Sequence, residues 1–151
     1  MRLVTFKSAG RERVGALLVP TTGRKERVVD LNAAAKAMRR RTGTASRMEA
    51  IDDMLGLLEA GSGGMAAARR ALRFVERAIA DSGGGVPGAL QGAVFDRARV
   101  RLSAPIPRPP KFVCVGLNYR DHAIEAGLDI PDVPVLFSKF SSAVIDRKSV
   151  V

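Results

Sequence analysis

The 151-residue chain contains one histidine, His122, and Glu125 follows it three positions later. On a helix that spacing puts both side chains on one face, where a carboxylate can orient an imidazole and favour its protonated form. This is the outline of a general-base pair, since an imidazole titrates near neutrality and can take a proton from water. The same spacing also suits two solvated residues on a surface helix, so spacing alone leaves both readings open. With one histidine and one cysteine, a metal cluster built from several such ligands is excluded. Cys114 forms no internal disulfide, sits inside an apolar run with no base near it, and reads as a buried strand residue rather than a nucleophile. Gly61-Ser62-Gly63-Gly64 and Gly83-Gly84-Gly85 could offer backbone N–H groups to a phosphate, but neither continues into Gly-Lys-Ser/Thr. Both are expected to be helix stops.

Elements able to position His122 flank it. Residues 111–116 form an apolar run of strand length, Leu117-Asn118-Tyr119 leads out of it, and 120–127 reads as a short helix closed by Gly127. Lys139 lies in the alternating run 135–140 and reads equally as an outward strand residue or as a group facing a site. Upstream, Pro105, Pro107, Pro109 and Pro110 can neither pair in a sheet nor turn in a helix, so 103–110 is the expected linker. Before it, apolar runs at 3–6 and 14–19 read as a hairpin, 27–31 as a third strand, and Asn32 as the cap of a helix through Met38. Ser46 and Glu49 form a capping-box pair, with Met48, Ile51, Leu55 and Leu58 at helical spacing up to Gly61. Ala68, Leu72, Val75 and Ile79 mark another helix, ended at 81–85, and 97–102 alternates as a strand. The expected fold class is α+β, with two amphipathic helices on a small sheet over 1–102 and a second domain from 111.

The motif Pro107-Arg108-Pro109-Pro110-Lys111-Phe112-Val113-Cys114-Val115-Gly116-Leu117-Asn118-Tyr119-Arg120-Asp121-His122, with Glu125 and then Pro134-Val135-Leu136-Phe137-Ser138-Lys139, closely resembles the fumarylacetoacetate hydrolase family. The resemblance implies that 111–145 is the first part of a mixed β-roll catalytic domain, preceded over 1–102 by the N-terminal domain of bacterial members. It implies a divalent cation, Mg²⁺ or else Mn²⁺ or Ca²⁺, and a small 2-oxo or dicarbonyl acid as substrate. The residues matching His122 and Glu125 activate a water for C–C cleavage and ride on a short helix that orders as a lid. Lys139 matches a lysine facing the developing charge, and Asn118 and Tyr119 match substrate-binding positions. Isomerases, decarboxylases, hydratases and lyases share the motif, and the whole enzyme is expected to be a homodimer. The family's metal ligands, a Glu-x-Glu pair and a later Asp, lie downstream of that lysine. No metal is therefore expected on these 151 residues, which are expected to be the inactive N-terminal part of a longer enzyme.

The composition narrows the rival readings. Lys and Arg number 25 against 15 Asp and Glu, and residues 1–101 hold 19 of the bases and 10 of the acids. A basic nucleic-acid-binding module is the alternative, but it requires Arg39-Arg40-Arg41, Arg69-Arg70-Arg73 and Arg97-Arg99-Arg101 to share a face with stacking aromatics. The chain has no Trp, and only Phe74 and Phe95 lie near those arginines, so solvated helix faces are the expected outcome and no nucleic-acid partner is predicted. No apolar run has the length of a membrane span, so no membrane partner is predicted and the cytoplasm is the expected location. The last six residues, Asp146 to Val151, are what the sequencing-adapter sequence GAT CGG AAG AGC GTC GTG encodes, and are expected to be a non-native tail.

Overall fold

Turn chemistry sets the first element pair. Ala9 and Gly10 both take positive φ, 49° and 75°, the left-handed pair that matches the twist of a tight hairpin. They join β1 (Arg2–Ser8) to β2 (Arg11–Leu18), paired antiparallel from Arg2 opposite Leu17 to Ser8 opposite Arg11. This is a computed structural model, and it describes residues 1–19 and 25–146. The chain divides into two units, Met1–Ile106 with Asp146, and Pro107–Ile145, so the division falls inside the proline-rich run. Residues 147–151 of the expected tail lie outside the described residues.

In the first unit β3 (Arg27–Asp30), β4 (Val94–Asp96) and β5 (Arg101–Leu102) complete an antiparallel sheet in the order β4-β3-β2-β1-β5. Three helices accompany it: α1 (Leu31–Thr42), α2 (Met54–Glu59) and α3 (Gly61–Asp81). Alternation along the strands divides the apolar residues between two clusters. Val14, Ala16 and Val29 pack with Leu31, Ala34 and Ala35 of α1 and with Ala68, Ala71, Leu72 and Val75 of α3. Phe6, Val28 and Val100 form the second cluster, where the rings of Phe6 and Phe95 lie 5.6 Å apart at 52°. Gly15 allows this ring placement, because a Cβ there would lie 2.8 Å from the Val29 carbonyl and 2.9 Å from the Phe6 ring. The architecture is α+β.

Several local expectations are corrected. Asp30, not Asn32, caps α1: its Oδ1 accepts from the Ala33 N–H at 2.9 Å, and Leu31, expected to end a strand, begins the helix. Asn32 is buried inside α1, where its amide donates to the carbonyls of Glu49 and Ile51 and to Asp52 Oδ1. The Ser46–Glu49 capping box forms but starts only one 3-10 turn, Arg47–Ala50. The run then breaks because Asp53 caps a separate helix, accepting from the Gly56 N–H at 2.8 Å, and Leu58 is left half exposed on α2. Gly61 does not stop the helical stretch. Its φ of 58° turns the chain and α3 starts at once, with Gly61-Ser62-Gly63-Gly64 in its first turn. Gly64 is required there by close approach, since a Cβ would lie 2.6 Å from Ala60 Cβ. There are three α-helices in this unit among the described residues, and the middle one is the short α2 rather than a helix running from Ser46. Gly83 and Gly84 do end α3, both at positive φ, with the Gly84 N–H donating to the Ile79 carbonyl. The expected strand over 97–102 is split: Asp96 caps a 3-10 turn, Arg97–Arg99, and only Arg101–Leu102 pairs, against Phe6 and Lys7.

In the second unit β6 (Val113–Gly116) pairs antiparallel with β7 (Val135–Ser138), and α4 (Arg120–Glu125) lies between them in sequence. No helix among the described residues is long and apolar enough to cross a membrane.

Candidate functional site

The β6–β7 pairing brings the two halves of the long motif together, with Val113 opposite Ser138 and Gly116 opposite Val135. Beyond the last pair, the Lys139 N–H donates to the Phe112 carbonyl at 2.9 Å. At the other end of β6 the chain leaves through Leu117, whose φ of 47° is left-handed. For a leucine this conformation costs about 1–2 kcal/mol, and such strain gathers at functional turns. The neighbouring Asn118 is the residue type better suited to it, so no sequence signal marked Leu117.

That turn delivers Tyr119 in extended conformation at the start of α4, with no side-chain cap. Its carbonyl instead accepts the N–H groups of His122 at 3.1 Å and Ala123 at 3.3 Å. Only Ala123 of the six helical residues is buried. At the far end Gly127, at φ 64°, lets the Leu128 N–H return to the Ala123 carbonyl at 2.9 Å and close the helix. This small element therefore presents Asn118, Tyr119, His122 and Glu125 together to solvent, Tyr119 being 73% exposed.

The expected pairing within this group is not formed. The three ion pairs found among the described residues are Arg13–Asp30, Arg39–Glu49 and Arg101–Asp146, and no hydrogen bond joins His122 to Glu125. Lys139 lies just past the end of β7, exposed, beside Phe112 rather than beside the turn. Phe112 and Gly116 are four residue steps apart, which at about 3.3 Å per step puts the Lys139 backbone about 13 Å along the sheet from the strand end that leads to His122. Cys114 is in β6 as expected but half-buried.

Among the described residues no three His, Cys, Asp or Glu side chains come close enough to hold a metal ion. The described residues therefore do not by themselves supply the oxygen cage that a divalent cation of the Mg²⁺ type requires.

No family model matches the chain. It is 33% identical to the mitochondrial oxaloacetate tautomerase FAHD2A of Bos taurus over 145 residues, 96% of this chain and 37% of that protein. With the oxaloacetate tautomerase YisK of Bacillus subtilis it shares 44% identity over 61 residues, 38% of this chain and 20% of that protein. A crystal structure of a Mycobacterium smegmatis protein named as HpcE superimposes with a TM-score of 0.53 at 31% identity, covering 95% of this chain and 37% of that one. The chain thus spans little more than a third of the length of the bovine and the Mycobacterium smegmatis proteins. With the 107–139 motif in place on its strand, turn and helix, and with likeness running through both units, the chain belongs to the fumarylacetoacetate hydrolase family.

Proposed function

We propose that the enzyme to which these residues belong acts on a small 2-oxo acid through its enol form, with His122 as the base. The observation that supports this reading is the turn at Leu117 to Glu125, which gathers the chain's one imidazole, a carboxylate, an amide and a phenol on one exposed element. Alignment with proteins named oxaloacetate tautomerases, over 96% of the chain for FAHD2A and 38% for YisK, favours keto–enol conversion over bond cleavage.

In that reaction the imidazole of His122 takes a proton from the carbon beside the ketone. The C–H electrons form the C=C bond, the carbonyl electrons move to oxygen, and a proton returned to that oxygen gives the enol. Nothing else is consumed. Glu125 orients the imidazole once the two side chains rotate together, and Asn118 and Tyr119 hold the acid. Lys139 contributes charge only if the lid helix closes toward its end of the sheet.

Hydrolytic C–C cleavage, with the same pair activating a water, is the second reading, and the open exposure of His122 to solvent favours it. Decarboxylase, hydratase and lyase reactions pass through related enolates. A divalent cation, Mg²⁺, Mn²⁺ or Ca²⁺, takes its ligands in this proposal from outside these 151 residues, and no step above runs through it. A homodimer in the cytoplasm completes the proposal.

The test is oxaloacetate tautomerisation by the full-length protein, followed by the ultraviolet absorbance of the enol, with NMR detection of any smaller acids released. His122→Ala should lower turnover by about 10²- to 10⁴-fold. Normal turnover in that variant places the base elsewhere. Stoichiometric release of two acids supports the cleavage reading instead.

A further inference from the structure

A groove of about 380 Å³ lies in the first unit, where β2 ends beside the middle of α3. Met1, Leu17, Leu18 and Val19 contribute its apolar surface, Met1 and Val19 being 46% and 43% exposed, while Leu72 is buried. Around them stand Arg2, Arg69 and Arg73, with Glu76 as the one carboxylate among the described lining residues. Arg69 and Arg73 are four apart on α3 and share a helix face, so their charges repel at close range.

Five other arginines of this unit have partners, whereas Arg11, Arg40, Arg41, Arg47, Arg70, Arg77 and Arg99 make no side-chain hydrogen bond or ion pair among the described residues. Arg13 pairs with Asp30, Arg39 with Glu49 and Arg101 with Asp146, while Arg27 donates to the Gly84 carbonyl and Arg97 to that of Val100. Among the described residues Arg2, Arg69, Arg73 and Glu76 make no side-chain hydrogen bond or ion pair. Three guanidiniums against one carboxylate leave a surplus of positive charge around aliphatic surface. Solvation alone accounts for exposed arginines, but not for the aliphatic surface held between them. A carboxylate suits this rim, because the guanidinium fork binds it through two parallel N–H donors. Among its described lining residues the groove has no aromatic ring on which a base could stack, and its aliphatic surface selects for apolar side chains rather than phosphates. It is more open than enclosed, which fits a segment of chain laid across it better than an enclosed small molecule.

We propose that this groove docks an acidic segment of a partner protein, its carboxylates on Arg2, Arg69 and Arg73 and its aliphatic side chains over Met1, Leu18 and Val19. The site lies wholly within the first unit and does not depend on the reaction proposed above.

The probe is a fluorescein-labelled dodecapeptide repeating Glu-Glu-Leu, titrated with the 151-residue chain and read by anisotropy. Saturable binding is expected, weakened about tenfold or more by Arg69→Glu with Arg73→Glu, in line with the loss of two rim charge pairs. The milder Arg69→Gln with Arg73→Gln pair, checked by circular dichroism, should weaken it less, which separates lost contacts from lost fold. A peptide with Ser in place of Leu should bind distinctly more weakly. The proposal is overturned if anisotropy does not change at millimolar chain, if the arginine variants bind as the parent does, if the Ser peptide binds equally, or if a duplex DNA 20-mer binds more tightly than the peptide.

Discussion

Asp30 occupies the point where β3 turns into α1, and its side chain is 1% exposed. Oδ1 accepts from the Ala33 N–H at 2.9 Å, and Oδ2 accepts from Arg13 Nη1 at 2.7 Å across the β2–β3 pair. Asp30→Ala removes both contacts. Losing the cap costs about 1 kcal/mol. The charge-assisted bond adds about 1.5 kcal/mol, the lower end of its range, because Arg13 is 36% exposed and can turn to water when released. The expected loss is therefore about 2–3 kcal/mol. Asp30→Asn keeps an oxygen for the cap and gives up the charge, so about 1–1.5 kcal/mol is expected. Arg13→Ala removes the exposed partner and leaves a buried carboxylate with one N–H, which should cost about 3 kcal/mol. The double alanine variant should then be less destabilised than the two single losses combined, by about 1–2 kcal/mol. Urea unfolding of each variant, followed by helical circular dichroism, gives all four values at comparable slopes. If Arg13→Ala is milder than Asp30→Asn, the carboxylate is reached by water and the burial argument fails.

Three further outcomes test other parts of the structure. Gly15→Ala should cost about 2–3 kcal/mol in the same unfolding assay, because the added Cβ meets the Val29 carbonyl at 2.8 Å and the Phe6 ring at 2.9 Å. Gly10→Ala, in open space but at φ 75°, should cost only about 1 kcal/mol; equal losses would mean that the sheet adjusts around Gly15. Leu117→Gly relieves the left-handed leucine and should not lower thermal stability, yet in the full-length enzyme it should raise KM, since the turn then fixes the start of α4 less well. An unchanged KM with lower stability would remove the strained turn from the functional argument. Limited proteolysis should cut first within 103–110 and leave the first unit intact, as mass spectrometry of the fragments would show; an initial cut inside α1 or α3 contradicts the division at Ile106.

What was legible in the first unit followed from side-chain periodicity and turn residues. The hairpin could be read because two short apolar runs, Leu3 to Phe6 and Val14 to Leu18, flank a glycine turn, and α3 because Ala68, Leu72, Val75 and Ile79 recur on one face. The failures came where tertiary contacts outweighed a local signal. Asn32 is a good capping residue, but Asp30 also reached Arg13 and so fixed the helix two residues earlier, freeing Asn32 to tie α1 to the 49–52 loop. Gly61-Ser62-Gly63-Gly64 reads as a stop on propensity, yet Gly64 is needed because a Cβ would collide with Ala60. Strand β4, three residues long, was too short to carry a period and exists through its pairing with Val28 and Val29.

The site was legible in its residue types and not in its geometry. His122, Glu125, Asn118 and Tyr119 stood out because one imidazole and one carboxylate three residues apart, inside a long motif, are few enough to name. Their arrangement depends on two things that spacing does not encode: a leucine held left-handed, and a six-residue helix with one buried side chain. A helix this short has few intrahelical hydrogen bonds and is marginal without tertiary support. With only Ala123 buried, it can fix the backbone positions of His122 and Glu125 but not their rotamers. The two side chains are accordingly apart and solvated in the free chain. In the proposed reaction they can meet only when something covers α4 and excludes the water between them, so the alignment of the general base is a property of the closed lid, set by binding.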